Sequence, residues 1–189
     1  MTNKEIMKIT MNLVIICALA GVILSATWAL TDPVKVQKEA QEREAALKSL
    51  IPQADSIKEV KNIITSGKEG KVYKATAKGK TIGYVALVYT KGYSSFISML
   101  VAIDPDYRLI AIEILDHKET PGLGDQIDQD WFKRQFRGKG QENLVVIKGE
   151  TDTDIQAISG ATISSRAVTR GAKEAMDSLR AERAKDPAL

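Results

Sequence analysis

The chain opens on a single apolar stretch: between Lys8 and Asp32 lie 23 residues, ITMNLVIICALAGVILSATWALT, with no charged side chain. As a helix this stretch crosses about 30 Å of hydrocarbon, and Trp28 stands where an interfacial aromatic belongs. A cleaved secretory signal has an apolar core of only about 7–15 residues followed by a small-residue cleavage site, and this segment has neither. The pattern predicts an uncleaved anchor within residues 1–31. Asp32 and Pro33 then supply an N-cap and N1 pair. VKVQKEAQEREAALKSL continues in strong helix formers to Pro52, predicting a stalk helix over 32–52 with a solvated charged face.

Beyond Ile57 the period shortens. GKVYKATAKG, TIGYVALVYT, SSFISMLVAI and YRLIAIEIL read as strands, with turns at Gly79-Lys80, Lys91-Gly92 and Asp104-Pro105-Asp106. Such short connections imply antiparallel neighbours. A helix is expected around Gln126–Phe136, then a Gly138–Gly140 loop and a strand in LVVIK. In SRAVTRGAKEAMDSLR, Val168, Ala172, Ala175, Met176 and Leu179 fall on one helical face despite Gly171. The predicted class is α+β: an N-terminal transmembrane helix followed by one domain, 53–189, with a mainly antiparallel twisted sheet and flanking helices.

Composition narrows the chemistry. With 44% hydrophobic and 27% charged residues and a net charge of +3, the chain is neither disordered nor basic enough to suggest nucleic acid. Its one cysteine, Cys17, lies in the apolar run, so the outer domain has no internal disulfide and no thiolate cluster for zinc or iron–sulfur. Its one histidine, His117, builds no metal cage alone, and no GxSxG elbow accompanies it. Redox work would therefore need an organic cofactor. Gly79-Lys80-Thr81 lacks the earlier P-loop glycine, Lys74 standing in its place, and Gly122-Leu123-Gly124 lacks the third glycine of a dinucleotide fingerprint. Asp125, Asp128 and Asp130 lack EF-hand spacing and read as a solvated helix start. Lysines near both ends of the apolar run leave orientation open by charge count, while the length of the following domain favours translocation.

Two segments stand out. In His117-Lys118-Glu119-Thr120-Pro121-Gly122-Leu123-Gly124 the proline restricts the approach and the glycines permit close backbone contact, which suits either a planar ligand or a plain turn. In Ile158-Ser159-Gly160-Ala161-Thr162-Ile163-Ser164-Ser165 small residues leave the Thr162 hydroxyl accessible, and Ser164 or Ser165 is expected to cap the last helix. No neighbouring side chain is an evident base for Thr162.

SGAT, the upstream HKETPGLG and the anchor-plus-domain plan together resemble the FMN-binding domain family of ion-translocating electron-transport complexes. LIPQAD, GYVALVYTKGY and VAIDPD also match in place and order, so the likeness covers the whole chain. The resemblance implies FMN attached covalently to Thr162 through a phosphoester, installed from FAD by a separate flavin transferase. It further implies a pocket holding Glu119, Thr120, Gly122, Leu123 and Gly124, with Ser159, Gly160, Ala161 and Ser165 on the modification and phosphate side. No catalytic residue and no metal is expected. Two departures stand: Gln156 occupies a position that is often acidic, with Asp154 nearby, and Gly92-Tyr93-Ser94-Ser95 replaces a glycine-rich GYGG turn. The serines of that turn stay outside the expected pocket.

The implied function is an electron-carrying subunit of an Rnf-type translocase coupling electron flow between ferredoxin and NAD to ion transport. It would sit among other membrane subunits, in the cytoplasmic membrane with its flavin domain outside. Two further readings remain: a subunit of a sodium-translocating NADH:quinone oxidoreductase, and an anchored noncatalytic assembly module.

Overall fold

The computed structural model describes residues 3–186, so Met1 and Thr2 of the anchor range and residues 187–189 of the 53–189 domain range lie outside the described residues. Helix α1 runs Asn3–Leu50. Its part Asn3–Asp32 is, among the described residues, the one helix long and apolar enough to cross a membrane, and none of it is buried against protein. The helix passes through Asp32 and Pro33, where the sequence predicts a fresh start. A prolyl nitrogen cannot donate to the carbonyl four residues back, an interior cost of about 3 kcal/mol, and helix formers on both sides carry the chain through. Just before Pro33, Thr27 Oγ1 donates to the Ile23 carbonyl at 2.8 Å and Thr31 Oγ1 to that of Thr27.

By its internal contacts the chain divides into two units, Met1–Glu42 and Arg43–Leu189. The second is built on an antiparallel sheet in sequential order: β1 Ser56–Thr65, β2 Lys68–Ala77, β3 Lys80–Lys91, β4 Phe96–Ile103 and β5 Leu109–Asp116. A 3₁₀ turn Gly124–Asp128, a short helix α2 Asp130–Arg134 and a 3₁₀ turn Gln141–Asn143 follow. Two two-residue strands, β6 Val146–Ile147 and β7 Ile155–Gln156, pair in parallel before the long helix α3 Thr162–Lys185.

Both faces of the sheet are covered. On one, Val72, Tyr84, Ala86, Val88, Met99 and Val101 meet Val168, Ala172, Ala175, Met176 and Leu179 of α3, with Phe132 and Phe136 completing the core. On the other, Tyr73, Ala75, Val85, Leu87, Leu100 and Ala102 pack with Leu47, Leu50 and Ile51. Burial from two sides makes β3 and β4 near-continuous apolar runs. The α+β class and the apolar face of the last helix agree with the sequence reading. The helix expected over Gln126–Phe136 is instead two short pieces, because Gln129 between them is extended (φ −68°, ψ 140°). Lys133 draws in the nearby carboxylates, its Nζ lying 3.0 Å from Glu113 Oε1 and 3.2 Å from Asp128 Oδ1.

Candidate functional site

Three distant segments meet at the end of the sheet beside the start of α3. The first is the β3–β4 turn, closed by the Gly92 N–H donating to the Ser95 carbonyl at 2.8 Å. The second leaves β5 at Asp116 and folds around the Thr120 carbonyl, which accepts from the N–H groups of Leu123, Gly124 and Asp125 at 3.2, 2.9 and 3.3 Å. The third is the SGAT segment. Here the Ala161 N–H donates to the Ile158 carbonyl at 3.0 Å, and α3 begins at Thr162.

Glu119 ties all three together. Its side chain is buried, and its carboxylate accepts from the N–H groups of Tyr93 (3.1 Å), Ser94 (3.1 Å) and Ser95 (3.4 Å) and from Ser164 Oγ. Burial pushes its pKa up, but the hydrogen bonds from Ser164 and from the Ser94, Tyr93 and Ser95 backbone outweigh that and hold the carboxyl below the ordinary glutamate value. With its oxygens taken by four donors, Glu119 is a clasp. It is not a free base.

Above the clasp lies a cleft of ≈ 360 Å³ lined by Tyr93, Thr120, Leu123, Gly124, Gly160, Ala161, Ile163 and Ser164. Tyr93, Leu123 and Ile163 are 67%, 44% and 54% exposed, an unusual concentration of bare apolar surface around one hollow. The glycines have separate reasons. A β-carbon on Gly124 would come within 2.8 Å of Glu119 Cβ and 3.0 Å of Ser164 Oγ, so this residue lets the loop close on the clasp. Gly160 has φ +76°, and a β-carbon there would press on Leu123 at 3.1 Å.

Of the residues expected from sequence, Thr120, Leu123, Gly124, Gly160 and Ala161 line the cleft, while Glu119 and Ser165 are buried beneath it as scaffold. Gly122 and Ser159 are exposed and lie off the lining. Thr162 is half-buried, and among the described residues neither its hydroxyl nor that of Thr120 makes a hydrogen bond. The expected serine cap does not form: Ala161 takes the N-cap position without a side-chain bond, and both serines are already helical. Ser165 Oγ instead accepts from the Ile158 N–H and donates to the Ala161 carbonyl, each at 3.0 Å. Sequence reasoning left out Tyr93, Ile163 and Ser164, the last expected only as a helix cap. Ile163 was legible as an apolar residue stranded among small polar ones, whereas Tyr93 arrives only through long-range pairing of its turn with Glu119.

The cleft suits a flavin ring. Its size falls in the range of small-molecule sites, its walls are largely apolar, and the unbonded Thr120 hydroxyl is part of its lining. The FMN-binding domain family model matches residues 92–177, which include the β3–β4 turn, the Thr120–Gly124 loop and the SGAT segment. The G subunit of the proton-translocating ferredoxin:NAD(+) oxidoreductase complex of Clostridium ljungdahlii is 42% identical over 178 residues, spanning 94% of this chain and 93% of that protein. The G subunit of the Na(+)-translocating ferredoxin:NAD(+) oxidoreductase complex of Acetobacterium woodii is 34% identical, spanning 89% of this chain and 88% of that protein. The crystal structure of Shewanella oneidensis NqrC superposes with a TM-score of 0.50 at 25% identity, over 68% of this chain and 72% of that one. The chain belongs to the family of G subunits of ion-translocating oxidoreductase complexes.

Proposed function

We propose that this chain is the flavin-bearing electron carrier of an Rnf-type complex that couples electron flow between ferredoxin and NAD to ion transport, with FMN joined covalently to Thr162. The observation that carries the reading is the meeting of the SGAT segment and the Thr120–Gly124 loop at one apolar cleft, whose lining includes Ala161 and Ile163, the two chain neighbours of the unbonded Thr162. The relatives at 42% and 34% identity, both named for ferredoxin:NAD(+) complexes, favour this over the quinone-reductase alternative.

FMN, when bound, supplies one- and two-electron redox chemistry. The chain's own residues bind and orient it: Leu123, Ile163 and Tyr93 offer apolar faces, and the Thr120 hydroxyl is free to donate or accept. In attachment, Thr162 Oγ forms a bond to the flavin-side phosphorus of FAD, the pyrophosphate bridge breaks, AMP leaves and the hydroxyl proton is lost. With Glu119 committed to its clasp, the base that takes this proton belongs to the flavin transferase. Electrons enter and leave through neighbouring subunits. Intact mass measured after coexpression with a flavin transferase is expected to show one FMN per chain, retained on denaturation. A colourless preparation from such a host would instead support the anchored assembly module.

The proposed division is an anchor over 1–31, a stalk over 32–52 and an FMN-binding domain over 53–189. The proposed topology places the amino terminus inside the cytoplasmic membrane and the flavin domain outside, supported by the one candidate span and by the tendency of long domains after a first helix to be translocated. Protease added to intact spheroplasts is expected to digest the flavin domain while a cytoplasmic marker survives. Protection until lysis would reverse the orientation.

A further inference from the structure

Beside the cleft lies a second groove, of ≈ 600 Å³, with Lys91, Gly92, Phe96, Ile163, Arg166 and Arg170 on its walls. The two hollows share Ile163, the residue after Thr162, and Gly92 of one adjoins Tyr93 of the other. Their chemistry differs. The cleft carries no charged side chain, whereas the groove presents three cations, and Lys68 Nζ adds a fourth, 4.2 Å from the centre of the Phe96 ring.

The cations are not equally available. Arg170 Nη2 donates to the Lys91 carbonyl at 2.7 Å and to Thr90 Oγ1 at 3.3 Å, so Arg170 serves to fix the groove wall. Arg166 is exposed and has no hydrogen bond or ion pair among the described residues. It lies one helical turn after Thr162, at the i, i+4 spacing that makes side chains neighbours. Helical side chains lean toward the N-terminal end of their helix, and Arg166 shares the groove wall with Ile163, the residue next to Thr162. An unpaired guanidinium is a planar fork of donors matched to phosphate oxygens.

We propose that this groove binds the phosphoryl group of the flavin nucleotide, with Arg166 as its charged donor and Lys91 as a supporting cation, while the apolar cleft takes the ring. The inference rests on the flavin reading above and adds to it a site for the anionic end. The position of the groove, concave and lined by Ile163, the residue that follows the proposed attachment residue, favours a small anion over the acidic face of another protein.

The test uses full-length Thr162→Ala protein in neutral detergent, so that binding is reversible, titrated with FMN and with riboflavin, which lacks the phosphate. FMN is expected to bind about fivefold more tightly at low salt, consistent with one partly exposed charge-assisted contact, and the gap should narrow as salt rises. Adding Arg166→Gln should close the gap by weakening FMN alone, and Arg166→Lys should keep part of it. Equal affinities for the two flavins, or a gap that survives Arg166→Gln, overturn the phosphoryl site while the cleft stands, and would leave these cations to an acidic protein surface. Failure of either flavin to bind overturns the cleft reading and this inference with it.

Discussion

Thr162→Ala is expected to abolish the covalent flavin entirely, leaving a chain of unmodified mass after coexpression with the transferase, whereas Thr162→Ser should retain the adduct at lower yield. The argument turns on which hydroxyl is available. Ser164 is buried and donates to Glu119, and Ser165 is fully buried with its Oγ engaged by the Ile158 N–H and the Ala161 carbonyl. Both would have to break hydrogen bonds and leave the core to reach an enzyme-held phosphorus. The credible rival is Ser159, which is exposed and makes no hydrogen bond among the described residues. Ser159→Ala is therefore the paired variant, and it should keep the full adduct. Peptide mapping of the wild-type adduct to Ser159, or full yield in Thr162→Ala, would sink the assignment.

What the sequence made legible was whatever its local pattern determined. β3 and β4 read clearly because two covering layers make their residues apolar on both sides. β1 did not: it is an edge strand in which Ile63 and Thr65 are buried while Val60 and Ile64 face water, so the alternation that marks a strand is lost. One helix is expected over Gln126–Phe136, yet the extended Gln129 splits it. At the site, glycines announced both segments, because close approach and positive φ leave a trace in residue type. The roles within the segments were less visible. Glu119, expected beside the flavin, also serves as a buried clasp, with partners about 25 residues upstream in a turn and 45 residues downstream on a helix. No local spacing encodes that meeting.

Glu119→Gln should therefore be among the most damaging single substitutions outside the hydrophobic core. The carboxylate accepts from three backbone N–H groups and one hydroxyl. An amide of the same shape keeps one accepting oxygen and, whichever way it is set, turns a donor toward at least one backbone N–H that cannot accept, even if the Ser164 hydroxyl reverses. Leaving a buried donor unsatisfied costs about 1–3 kcal/mol, so a net loss of roughly 2–3 kcal/mol is expected, or about 5–10 °C in Tm for a domain of this size. The pH dependence separates this from a simple packing defect. Because the folded pKa lies below the ordinary value, the clasp contributes fully above the unfolded glutamate pKa of about 4.3, and that contribution is lost as pH falls through the folded value. Melting of the full-length protein in detergent should accordingly show a wild-type advantage that is constant near neutrality and shrinks in acid toward the folded pKa. A difference that stayed the same down to about pH 3, or no difference near pH 7, would mean that the three segments are held together by packing alone.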